Sequence, residues 1–130
     1  MTAAGTESTV ARDLLAASER LMRQPAAAAG GTWPRAAALL ARQALEVAVK
    51  TFWAYVAPGT DEAPMRAQLL CLEGWLPAPV ARDAYQAWAA LSRAAHHHAY
   101  ELPPTADELA VWRRSVAKVL EATERVWGRG

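Results

Sequence analysis

At 130 residues, with 53% hydrophobic and 21% charged side chains, the chain has the size and composition of one globular domain and excludes a disordered segment. A formal charge of +1 excludes a broad basic field, so nucleic acid would have to be held by local arginines. The one cysteine, Cys71, excludes an intrachain disulfide, and its neighbours Leu70 and Leu72 predict a core thiol in a reducing compartment. The N-terminus has no basic region followed by an apolar run, and no apolar run approaches the roughly 18 residues of a membrane span. The expectation is a soluble, cytoplasmic protein that makes no contact with a membrane.

Ala, Leu, Arg, Glu and Gln fill the segments between Gly and Pro, and no stretch alternates β-branched residues with a period of two. The predicted class is all-α, a single domain over 1–130 with flexible ends at about 1–6 and 128–130. The first helix is predicted from about Glu7 to Gln24, with Val10, Leu14, Ala17 and Leu21 toward the core and Arg12, Glu19, Arg20 and Arg23 away from it. Pro25 and the run AAAAGG then form a loop ending at Thr32. The second helix begins near Trp33 with Pro34 in its first turn, where the missing N–H costs nothing. It stops at Pro58-Gly59 and is apolar around much of its circumference, so it should be central. Glu46 and Lys50 form an i, i+4 pair of favourable polarity on it.

Asp61 is the expected cap of a short third helix through Glu73, with Gly74 as its left-handed stop. Pro77 and Pro79 set the start of a fourth helix, which carries VARDAYQAWAALSRAAHHHAY and ends before Pro103-Pro104. Thr105 and Glu108 spell a capping box for the fifth. Leu109, Trp112, Val116, Val119, Thr123 and Val126 make its seam, for helix four or a second subunit, and Gly128 ends it. The six tryptophans read first as packing residues; Trp53, Trp88 and Trp112 lie on apolar helix faces, with base stacking the lesser reading.

Chemistry-bearing side chains concentrate at the end of the fourth helix. All three histidines stand together as His96, His97 and His98, with Arg93 before them and Tyr100 after. Arginine offers a fork of donors to a phosphate, and histidine is poised near neutral pH for proton transfer. Successive residues of a helix are about 100° apart, so the three histidines cannot all face one metal, and no i, i+4 pair of ligands is completed; no metal or other cofactor is expected. A bland reading makes the histidines caps and surface groups.

The segment RAAHHHAY, Arg93 to Tyr100, resembles the RxxxxHxY motif of the HEPN superfamily, most closely the HEPN toxins paired with MNT nucleotidyltransferase antitoxins. ARQALEVAVKTF, Ala41 to Phe52, is similar to the second helix of such domains. The resemblance extends from about Val10 to Val126 in helix count and order. It implies an up-and-down bundle of four long helices plus a short one. It also implies a metal-independent endoribonuclease, in a toxin–antitoxin or defence setting, working on RNA as a homodimer whose two motifs face each other.

Carried over, Arg93 would steady charge on the scissile phosphate and His98 would act as general acid or base. Tyr100 would be the site at which a nucleotidyltransferase-type antitoxin attaches a nucleotide. On an ideal helix Arg93 and His98 are about 140° apart, so they meet at one phosphate only through a distorted helix or across a dimer. Arg93, His97 and Tyr100 share a face, which makes His97 a rival for the catalytic role, with His96 a further substrate contact. The residue after the arginine, usually polar in active members, is Ala94. That departure keeps open a catalytically degenerate binding or dimerisation module, or a helical adaptor holding a protein partner.

Overall fold

The computed structural model describes residues 3–23, 33–96 and 102–127. The described residues form five α-helices and no strand: α1 Ala3–Arg23, α2 Trp33–Val56, α3 Met65–Leu70, α4 Ala78–Ala95 and α5 Ala106–Trp127. The four long helices run alternately up and down. Ser18 of α1 meets Ala37 of α2, Glu46 of α2 meets Trp88 of α4, and Glu124 of α5 meets Ser8 and Arg12 of α1. The all-α bundle of four long helices and a short one follows the sequence reading.

α2 is the central element, packed against α1, α4, α5 and α3. Its buried residues Ala37, Ala38, Ala41, Ala44, Leu45, Ala48, Val49, Phe52 and Trp53 cover more than one face, which is why a helix with little polar circumference has to sit inside. Pro34 lies in its first turn as expected. Past Val56 the chain reverses through Gly59, whose φ of 104° lies in the left-handed region. A Cβ there would meet nothing within 4 Å, so the demand for glycine is conformational and not steric.

Three local expectations are corrected. α1 starts at Ala3, ahead of Glu7, and of its expected core line Leu14 and Leu21 pack half-buried against the core, while Val10 is 41% exposed. The deepest positions are the small residues Ala11 and Ser18, and the buried Ser18 hydroxyl is satisfied by donating to the Ala37 carbonyl at 2.8 Å.

The third helix is broken where one run from Asp61 to Glu73 was expected. Thr60–Glu62 is a single 3-10 turn, α3 begins only after Pro64, and Cys71–Gly74 is a second 3-10 turn. Proline excludes the helical region for the residue before it, and Ala63 is extended at φ −69°, ψ 158°. Asp61 therefore caps no helix; its Oδ1 accepts the Gly59 N–H at 3.0 Å. Among the described residues Gly59 is the glycine with positive φ, so Gly74 is not a left-handed stop.

Cys71 is exposed, contrary to the core thiol expected from its neighbours. Leu69 and Leu72, three apart, take the inward face and leave Leu70 and Cys71 outside.

The capping box forms as read: Thr105 N–H donates to Glu108 Oε1 at 3.0 Å, and Glu108 N–H donates to Thr105 Oγ1 at 3.1 Å. In the seam of α5, Leu109, Val116, Val119 and Thr123 are buried against α2, α4 and α1 of the same chain, and Val126 remains largely exposed. Trp53 is buried, while Trp88 and Trp112 are half-buried against the core. The expected flexible end at 128–130 and the loop after Arg23 lie outside the described residues. No helix among the described residues is long and apolar enough to cross a membrane.

Candidate functional site: the end of α4

α4 stops five residues short of the expected Tyr100. Its last helical residue is Ala95, and His96 is extended at φ −78°, ψ 139° while its N–H still donates to the Arg93 carbonyl at 3.2 Å. Two causes coincide here. The alanine-rich helix gives way to consecutive histidines, which are weaker helix formers. The last carbonyls of any helix also need outside partners, and this end has one in Arg35.

Arg35 reaches across from the first turn of α2. Its Nη1 donates to the His96 carbonyl and lies 3.5 Å from the Ala94 carbonyl. A cation in the first turn of a helix opposes that helix's own dipole. Because α2 begins beside the point where α4 ends, the same charge sits against the electronegative end of α4, where it is favourable. Sequence reasoning missed Arg35. The signal was present as an arginine at the wrong end of its own helix.

Arg93, in the last turn of α4, and His96 are both exposed, so a guanidinium and an imidazole stand together at one helix end. His98, the expected catalytic residue, His97, its rival, and Tyr100, the expected modification site, lie outside the described residues. Ala94 is half-buried and packs against the core, so the position after Arg93 faces inward, with room for a methyl group.

Behind the site, Trp88 Nε1–H donates to Glu46 Oε2 at 3.0 Å, and Arg42 Nε lies 4.0 Å from Glu46 Oε1. Glu46 thus turns toward α4 and away from the expected pairing with Lys50, because the half-buried indole N–H needs an acceptor. Among the described residues, no group of three or more His, Cys, Asp or Glu side chains is arranged to hold a metal ion.

The fold and site define an all-α bundle with a basic and imidazole-bearing helix end. Comparison with known family models, curated proteins and solved structures finds no match.

Proposed function

We propose that the chain is a metal-independent endoribonuclease of the HEPN type, with Arg93 and His98 as its catalytic pair. The observation supporting this reading is the exposure of Arg93 and His96 where α4 stops, which leaves an arginine and the start of the histidine run open to a phosphodiester. In the proposed step His98 takes the proton of the ribose 2′-hydroxyl as that oxygen attacks the adjacent phosphorus, and the 5′-oxygen leaves with a proton returned to it. Arg93 steadies the negative charge that builds on the phosphorane oxygens. The reading includes a homodimer that brings two motifs together, RNA as substrate, and a nucleotidyltransferase-type antitoxin that silences the site by modifying Tyr100. A nucleotide there would put bulk and negative charge where the RNA backbone has to lie, with Arg93 free to hold it through a charge-assisted contact.

The test is cleavage of RNA by purified protein in EDTA. Arg93→Ala and His98→Ala should each abolish it, with His97→Ala silent. Cleavage that survives both substitutions would assign the activity elsewhere, and loss in His97→Ala alone would move the catalytic role to His97.

A second reading has its own observation. Ala94 packs toward the core with no polar group to offer the site. This favours a degenerate module that binds RNA or a partner without cutting it. Retained RNA binding without cleavage in the unmodified protein would select it.

A further inference from the structure

We infer that Arg35 is a positioning residue, whose guanidinium fixes the peptide at His96, where the backbone turns from helical to extended. Three observations converge on it. Arg35 is half-buried, its donor reaches the carbonyls of both Ala94 and His96, and His96 is where the backbone changes from helical to extended. One side chain thus spans the last helical turn and the first residue beyond it. A planar guanidinium suits this task because its donors keep a fixed relation to one another, so two carbonyls bound to it are held relative to each other as well as to α2.

The chain contains no glycine at this helix end to supply the usual left-handed stop. α4 is ended instead by a residue from 59 positions earlier in the sequence. The His96 peptide is therefore tied to the seating of α2 against α4, and a shift between those helices moves it. Arg35 needs no contact with substrate to act in this way. Its effect on cleavage rests on the ribonuclease reading, and its effect on conformation does not.

The experiment uses the full chain as Arg35→Ala and Arg35→Lys. All three histidines belong to the run His96 to His98, so every imidazole signal in a proton–carbon NMR spectrum reports on it and on nothing else. Arg35→Ala should lower the melting midpoint by only about 5 °C, as expected for one half-exposed contact in a domain of this size. The His96 imidazole signal should move, and exchange of the His96 amide should quicken by about ten-fold or more as its bond to Arg93 opens. Arg35→Lys, which can still donate to the carbonyls, should restore much of both. Should Arg35→Ala fail to fold, Arg35→Gln, which keeps an N–H donor without the charge, carries the same measurements.

An unchanged His96 signal with unchanged amide protection would overturn the inference. If wild-type protein cleaves RNA, Arg35→Ala should lower kcat by about ten-fold with KM held within about two-fold, because misplacement costs rate more than binding. A change confined to KM would make Arg35 a substrate contact and would also overturn it. If wild-type protein does not cleave, the ribonuclease reading falls and the two NMR measurements still decide the role of Arg35.

Discussion

Gln68 and Arg35 do the same job in two different settings. Each sends one nitrogen to two main-chain carbonyls where the backbone leaves regular structure. Gln68 Nε2 donates to the Asp61 and Ala63 carbonyls at 3.0 and 2.7 Å, inside the bend that precedes α3. Gln68 is 2% exposed, and its main-chain carbonyl accepts the Trp53 Nε1–H at 3.0 Å. Arg35 closes the end of α4 at the edge of solvent, with a charge in place of a neutral amide. Loss of a buried neutral donor also empties its place in the core, so it falls on folding. A half-exposed charged donor can be replaced by water, so its loss falls on geometry. The chain uses the first device to hold its architecture and the second to place a site.

The sharpest way to break this comparison is Gln68→Ala. Two half-buried carbonyls lose their donor and a buried side-chain volume is emptied, so urea unfolding should show a loss of about 3 kcal/mol. A loss below about 1 kcal/mol would mean the bend holds itself, and the contrast with Arg35 would disappear. Arg35→Ala should cost about 1 kcal/mol in the same assay. Arg35 lies in the first turn of α2, whereas Gln68, in α3, meets α2 at Trp53 near its other end, so the double variant should match the sum within about 0.5 kcal/mol. Thr105→Ala, which opens a local and exposed cap, should also cost about 1 kcal/mol, but it should leave the imidazole signals in place where Arg35→Ala moves them.

The smallest effect should come from Arg12→Ala. Arg12 bonds Glu124 at 2.5 Å but is largely exposed, and such pairs contribute less than about 0.5 kcal/mol. The hydrogen bond to Glu124 raises the Arg12 pKa above its ordinary value, against the opposing effect of burial and with help from the charges of Glu124 and Glu121. A raised pKa stabilises the fold fully below the unfolded value and is lost only as pH rises through the folded one. For an arginine that window lies in strong alkali, so titration of Arg12 should leave stability unchanged between about pH 5 and 9. An Arg12-dependent slope in that range, seen by comparing wild type with Arg12→Ala, would contradict the assignment.

What the sequence made legible was whatever depends on neighbours in the chain. The Thr105/Glu108 box, Pro34 in its helix's first turn, the stop at Gly59 and the central place of α2 all follow from local chemistry and from composition along one helix. What it hid depends on which faces meet. The α1 stripe does reach the core through Leu14 and Leu21, yet Val10 turns outward and the deepest positions fall to Ala11 and Ser18, which apolar periodicity alone does not single out. Cys71 was misplaced because adjacent leucines do not reveal which of them turns inward. At the site, Arg93 and the histidine run were visible as chemistry, but the halt of α4 at Ala95 was not, since its cause includes a side chain from another helix.

The buried face of α4 is alanine except for Leu91, and α2 buries Ala37, Ala38, Ala41, Ala44 and Ala48 beside its larger side chains. Rows of methyl groups form shallow ridges, which set how close two helices come more firmly than how far along each other they lie. The lengthwise alignment of α2 and α4 therefore falls to their directional contacts, the Trp88–Glu46 bond near the middle and the Arg35 bonds at the end. A slide of one turn, about 5.4 Å, would keep the methyl rows in contact and break both sets of bonds. Those polar contacts act as detents on a smooth rail, and they give the pair of helices one stopping place where the alanines alone would permit several.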